Sequence, residues 1–182
     1  MQGPRRDADR NRQHILETAR TLVDSGAGIG LNAVARAADV GVATVYRHFA
    51  VVEELEEALV WGRFDELKAV LENTGPSQLE GALRAHFVLL VEDPLFEKVT
   101  ARAEPVLAET RERREALITA LGALVASAKK GSAIREDVDA QAVLLLLCGI
   151  AHSVRSSRLP ASDPRSEALL RVAFDGLRLP AA

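Results

Sequence analysis

The chain of 182 residues contains a single cysteine. One thiol cannot build an internal disulfide framework or a Cys-based zinc site, and it fits a reducing compartment. Cys148 itself sits in an apolar run, where the expected role is a small packed hydrophobe. Long hydrophobic runs are missing as well. The longest, Ala142 to Ala151, has ten residues, against the about 20 that a membrane helix needs. The opening MQGPRRDADRNRQ has no apolar stretch behind its arginines, so it does not read as a secretory signal. A soluble, cytoplasmic protein is expected. Proline is scarce, at 7 residues, and glycine numbers 12. With 48% hydrophobic and 27% charged residues, disorder, collagen-like repeats and low-complexity linkers are excluded. A chain of this length buries roughly 70% of its unfolded surface, enough for one good core or two small ones.

Excess charge of one sign is small. The formal net charge is −3, but it is unevenly placed: residues 1–50 carry +2 and the remaining 132 carry −5. An acidic chain is not a bulk nucleic-acid coat, whereas a basic N-terminal part on an acidic body is compatible with local phosphate contact.

No useful period-2 alternation occurs, and no hairpin dipeptide joins strand-like segments, so strands are not expected. Helical periodicity is everywhere. Ile15, Ala19, Leu22 and Val23 predict a first helix from about Ala8 to Ser25, stopped by Gly26. After a joint with Gly26, Gly28 and Gly30, the residues Leu31, Val34, Ala35 and Ala38 give a short second helix. Asp39-Val40-Gly41 interrupts, and Val42 to Phe49 forms a third. Further helices are expected at about Val52 to Glu72, from an N-cap at Ser77 to Val91, and at Leu95 to Arg102. The last three are expected at Pro105 to Lys129, Asp139 to Ser156 and Pro164 to Leu177. The fold class is all-α, with about nine helices and no repeat.

The second and third helices, separated by Asp39-Val40-Gly41, have the dimensions of a helix-turn-helix unit. Val34, Ala38, Val40, Val45 and Phe49 can close a small core with Ile15 and Leu22. That leaves Val42, Ala43, Thr44, Arg47 and His48 on the outer side of the third helix. Small residues permit close approach to a major groove and can meet thymine methyls. Thr44, Tyr46 and His48 can donate to phosphates, which positions a helix without reading sequence. On spacing alone, a tight helical corner with no DNA role is an equal alternative.

The stretch LNAVARAADVGVATVYRHF, residues 31–49, resembles the DNA-binding signature of TetR-family repressors. RQHILETARTLVDSGAG, residues 12–28, is similar to that family's first helix, and EELEEAL, residues 53–59, to the start of its fourth. The resemblance implies a DNA-binding domain at residues 1–52 and an effector-binding and dimerisation domain at 53–182. Val42, Ala43, Thr44, Tyr46, Arg47 and His48 would meet a double-stranded DNA operator. It also implies homodimerisation through the last two long helices, and a repressor released by a small molecule. This chain departs from the usual pattern at several places. Asp39 replaces the turn glycine, Gly41 replaces a capping serine, and Val51 and Val52 stand where a polar residue and a phosphate-binding lysine are usual. That missing contact would fall on Arg47 and on the arm carrying Arg5, Arg6, Arg10 and Arg12, which otherwise reads as a solvated tail.

In the remainder, Leu144 to Ala151 is apolar on every side, and Leu169, Leu170, Val172, Ala173 and Leu177 give the ninth helix a matching face. Trp61, Phe64, Phe87 and Phe96, with Leu107 and Leu117, are candidates to line a pocket for an apolar effector, or simply core. His86 and His152 are candidate hydrogen-bonding groups in it. Catalysis finds little support. The four histidines show no metal spacing, the carboxylates Glu53, Glu54, Glu56 and Glu57 suit a helix start, and the Glu/Arg alternation over residues 109–115 reads as a solvated face. The glycines at 26, 28 and 30 follow a helix and fail the dinucleotide test. No cofactor or metal is expected. The alternative reading is an all-α enzyme or small-molecule carrier that contains a helical corner.

Overall fold

The computed structural model describes residues 4–131 and 133–178, without the side chains of residues 4–6. Among the described residues there are nine α-helices and no strand. They are α1 Pro4–Asp24, α2 Leu31–Ala37, α3 Val42–His48, α4 Val52–Glu72, α5 Leu79–Glu92, α6 Pro94–Ala101, α7 Ala108–Lys130, α8 Ala140–Ser156 and α9 Pro164–Leu177. None is long and apolar enough to cross a membrane. Two compact units form: the first runs to Trp61 and includes Pro105–Thr110, and the second comprises Gly62–Glu104 and the chain from Arg111.

The first unit is α1, α2 and α3 around Ile15, Ala19, Leu31, Val34, Val45 and Phe49, all buried. Three helices, two of them in this unit, end in the same way. At α2 the Val40 N–H reaches the Ala35 carbonyl at 3.0 Å and the Asp39 N–H reaches Arg36 at 3.3 Å. This is a Schellman closure, and it requires a left-handed residue, which Asp39 supplies at φ 51. Gly26 (φ 75) closes α1 and Arg158 (φ 56) closes α8 with the same pair of bonds. Helix α1 starts at Pro4, earlier than its apolar periodicity suggests, so the expected N-terminal arm is helical. The side chains of Arg5 and Arg6 lie outside the described residues. Arg12 is not a groove-seeking arm: its guanidinium lies 5.3 Å from the ring centres of both Phe49 and Trp61.

In the second unit α5 packs on α6 and α8, burying Leu83, Phe87 and Leu90 of α5 with Val143, Leu147 and Ala151 of α8. Carboxylates start three of its helices. Asp93 accepts from Leu95 and Phe96, Asp139 from Ala142, and Asp163 from Arg165. The expected cap at Ser77 is corrected: Pro76–Gln78 forms a 3-10 turn, and α5 starts at Leu79 without a side-chain cap. The α7 start is corrected too, from Pro105 to Ala108.

Candidate nucleic-acid interface and ligand cavity

Only Val45 of α3 is buried; it locks the helix to the core of the first unit. Gly41 is the N-cap and offers no side chain, so the Thr44 N–H bonds the Gly41 carbonyl at 2.8 Å. Behind the turn, the His14 ring Nε2–H donates to the Ala38 carbonyl at 3.0 Å, tying α1 to the corner. What remains outside is a continuous face. Val42, Ala43, Tyr46 and Arg47 are exposed, and Thr44 and His48 are half-buried at its margins. Tyr46 keeps 47% of its surface open. Among the described residues no carboxylate pairs with Arg47. Ala43 and Arg47 are one turn apart, so both project from the same stripe. The face thus carries one unneutralised cation, hydroxyl and imidazole donors and small apolar groups. Val51 is exposed beside it and Val52, half-buried, follows, so neither a polar side chain nor a second cation extends the face.

Sequence reasoning missed what fixes the end of this unit. Glu57 was read as part of a helix-start charge run, and that reading is corrected: its carboxylate is fully buried and accepts the N–H groups of Val106 at 2.8 Å and Leu107 at 2.9 Å. These are donors at the α7 N-terminus, so Glu57 caps α7 from a distance, with the helix dipole in its favour. Trp61 adds a bond from its indole N–H to the Thr110 hydroxyl at 2.9 Å. No local signal marks such a pairing, because the partners are about fifty residues apart and half of them are main chain.

The second unit contains a cavity of about 510 Å³ among α4, α5, α6, α7 and α8. Of the four aromatic candidates, Phe64 lines it. Phe96 packs edge-on behind Phe64 with ring centres 5.0 Å apart, Phe87 is wholly buried in the core, and Trp61 lies in the first unit. Leu117 lines the cavity and Leu107 does not. His86 is in its wall, 3% exposed, and burial pushes its pKa from the ordinary 6.5 down to about 4, so the ring is neutral. His152 is instead exposed on α8, 3.3 Å from Glu97. Cys148 also lines the cavity, its thiol pushed up by burial and by the charge of Glu97. Arg114 was read as part of a solvated face. It is corrected to a cavity residue that donates to the Arg102 carbonyl at 3.0 Å and the Thr100 carbonyl at 3.2 Å. Among the described residues no cluster of His, Cys, Asp and Glu could hold a metal ion.

An exposed helix presented by a Schellman-closed corner, in a chain with a second helical unit, defines an all-helical transcriptional-regulator fold. Residues 82–179 match the sequence model of the SbtR-like transcriptional regulator C-terminal domain, and the chain belongs to the TetR family of transcriptional regulators. It is similar to a TetR regulatory protein from Mycobacterium vanbaalenii at 29% identity, covering 97% of this chain and 100% of that one with a TM-score of 0.57. A TetR regulator from Streptomyces coelicolor is 28% identical over 93% of this chain and 99% of that one, with a TM-score of 0.55. FadR from Bacillus subtilis, solved in complex with stearoyl-CoA, shares the fold at 16% identity over 91% of this chain and 99% of its own, with a TM-score of 0.64. Among the curated proteins none matches.

Proposed function

We propose that the chain is a cytoplasmic repressor, a regulator and not a catalyst. In this reading it holds a (pseudo)palindromic double-stranded operator as a homodimer and releases it when a small molecule occupies the second unit. Residues 1–52 bind DNA, and residues 53–182 take the effector and dimerise. The observation that carries the reading is the outer face of α3, where Arg47 stands unneutralised beside Ala43 and Tyr46 on a helix that contributes only Val45 to the core. Ala43 and Arg47 read base edges from the groove floor. Val42 adds apolar contact, and Thr44, Tyr46 and His48 hold phosphates on the walls.

Dimerisation through α8 and α9 is supported by an apolar stripe left open on both helices. Leu145 and Val172 are 69% and 71% exposed, with Leu146 and Leu169 beside them. A dimer places two copies of α3 on one face of the duplex, where successive grooves recur every 34–36 Å, about one helical turn. Effector and DNA then compete because they favour different separations of the two α3 helices; the coupling is the difference in effector affinity between those shapes. A covalent route exists, since Glu104 alone separates Ala103 of the cavity wall from Pro105, which begins the segment held by Glu57 and Trp61. Electrophoretic mobility shift with the intergenic DNA upstream of its own gene tests the reading. A discrete complex that survives excess unrelated duplex is expected, and equal competition by unrelated duplex would overturn it.

A further inference from the structure

The cavity of the second unit has chemistry beyond a greasy hole, and its volume of about 510 Å³ lies within the about 300–1,000 Å³ typical of small-molecule sites. Its depth and its mouth differ. Phe64, His86 and Leu117 are 1%, 3% and 4% exposed, so they form the floor, while Leu145 and Ile118 are open at the rim. At the floor the His86 ring has no hydrogen-bond partner among the described residues. Its ring nitrogens are not sealed away, so a ligand's hydrogen-bonding group can reach them from the cavity. Being neutral, it offers one N–H donor and one acceptor nitrogen, and it has no charge for an ion pair.

Charge enters from another side. Arg114 of α7 reaches the end of α6, where its hydrogen bonds go to two main-chain carbonyls, and no carboxylate among the described residues lies at ion-pair distance from it. Arg102 lines the same cavity, and no Asp or Glu does. Glu97, whose charge reaches Cys148, is outside the lining and is engaged by Arg155 and His152. The charged groups of this wall are therefore all cationic, and the walls between them are Phe64, Leu117, Leu144 and Leu145.

We infer that the cavity takes an amphipathic organic anion, with its anionic group at Arg114, its apolar body against Phe64, Leu117 and Leu144, and a hydrogen-bonding group at His86. This rests on the proposed effector role of the second unit and specifies its ligand class. Guanidinium supplies two parallel donors to a carboxylate or sulfonate, so an anion gains a charge-assisted pair that a neutral analogue of the same body cannot make.

Two fluorescent probes share one body and differ in charge: anilinonaphthalene sulfonate and the neutral phenylnaphthylamine, both with an N–H that can reach His86. Titrated into the full chain, the sulfonate is expected to bind saturably, one per chain, about 10- to 100-fold tighter than the neutral probe. Arg114→Gln should remove most of that preference; Arg114→Lys should keep part of it and serves as the second probe should Arg114→Gln unfold by circular dichroism. Leu144→Trp should block both probes, which excludes binding elsewhere on the surface. His86→Phe should weaken both by a common factor and leave their ratio unchanged. Equal affinity of the two probes in the wild type, or a preference unaltered in Arg114→Gln or, should that variant unfold, in Arg114→Lys, would overturn the inference. Unchanged affinities in His86→Phe would overturn the placement at His86. Operator binding, measured in parallel, separates this from the regulatory reading. A sulfonate that binds with the expected preference but leaves the DNA complex intact contradicts only the effector role. A neutral probe that binds as tightly and releases DNA contradicts only the ligand class.

Discussion

Replacing His86 by leucine gives a stability measurement whose pH dependence follows from burial. Above about 6.5 the imidazole is neutral both folded and unfolded, so its titration contributes nothing. Between about 6.5 and about 4 the unfolded chain binds a proton that the folded chain refuses, and stability falls as pH falls. Below about 4 both states are protonated and the loss is complete. At about 1.4 kcal/mol per unit of pKa difference, the full loss is about 3 kcal/mol. Carboxylates titrate in the same acid range, so the wild-type curve alone is not diagnostic; the difference between wild type and His86→Leu isolates the imidazole. The assay is urea denaturation followed by circular dichroism, at fixed protein concentration because a dimer's stability depends on it. The expected difference curve is flat above about 6.5 and moves against the wild type by about 3 kcal/mol on reaching about pH 4. A curve flat through the whole range would refute a buried, neutral His86.

Three further outcomes follow from the geometry. Glu57→Gln leaves one of the Val106 and Leu107 N–H groups facing an amide N–H, and should cost about 2–4 kcal/mol by urea denaturation; a loss below about 0.5 kcal/mol, the range of ordinary surface changes, would contradict the remote cap. Asp39→Val forces a β-branched residue to φ 51 and should cost about 1–2 kcal/mol, whereas Asp39→Gly should be neutral or stabilising, as thermal unfolding would show. Leu146→Asp on the open stripe of α8 should give a monomer near 19.6 kDa by light scattering, where the wild type gives twice that; a wild-type monomer would sink dimerisation through α8 and α9.

The helices and the corner were legible in the sequence because their signals are local. Apolar residues at helical spacing, Gly26 as a stop, and Asp39 as a residue that accepts the left-handed region all act within a few positions. The candidate recognition face was legible for the same reason: on a helix of two turns, once Val45 and Phe49 face the core, the remaining residues have nowhere else to point. What stayed hidden depends on distant partners. Glu57 and Arg114 carry the same charge pattern as solvated neighbours, and only folding reveals that each serves main-chain groups. The late start of α7 has the same origin, since the Val106 and Leu107 N–H groups go to Glu57. The cavity was half legible. Large apolar residues on helices four to seven marked a hydrophobic interior, but periodicity cannot say which of Phe64, Phe87 and Phe96 faces a void, nor that α8 closes it.

The most direct measurement of the recognition helix is binding of wild type, Arg47→Ala and Tyr46→Phe to the operator and to a scrambled duplex, at two salt concentrations. Arg47→Ala should cost about 1–3 kcal/mol on the operator and less on the scrambled duplex, while Tyr46→Phe, which loses one hydroxyl and keeps the ring, should weaken both by the same factor. Arg47→Ala binding both duplexes as the wild type does would contradict the assignment of α3 as the DNA-reading element.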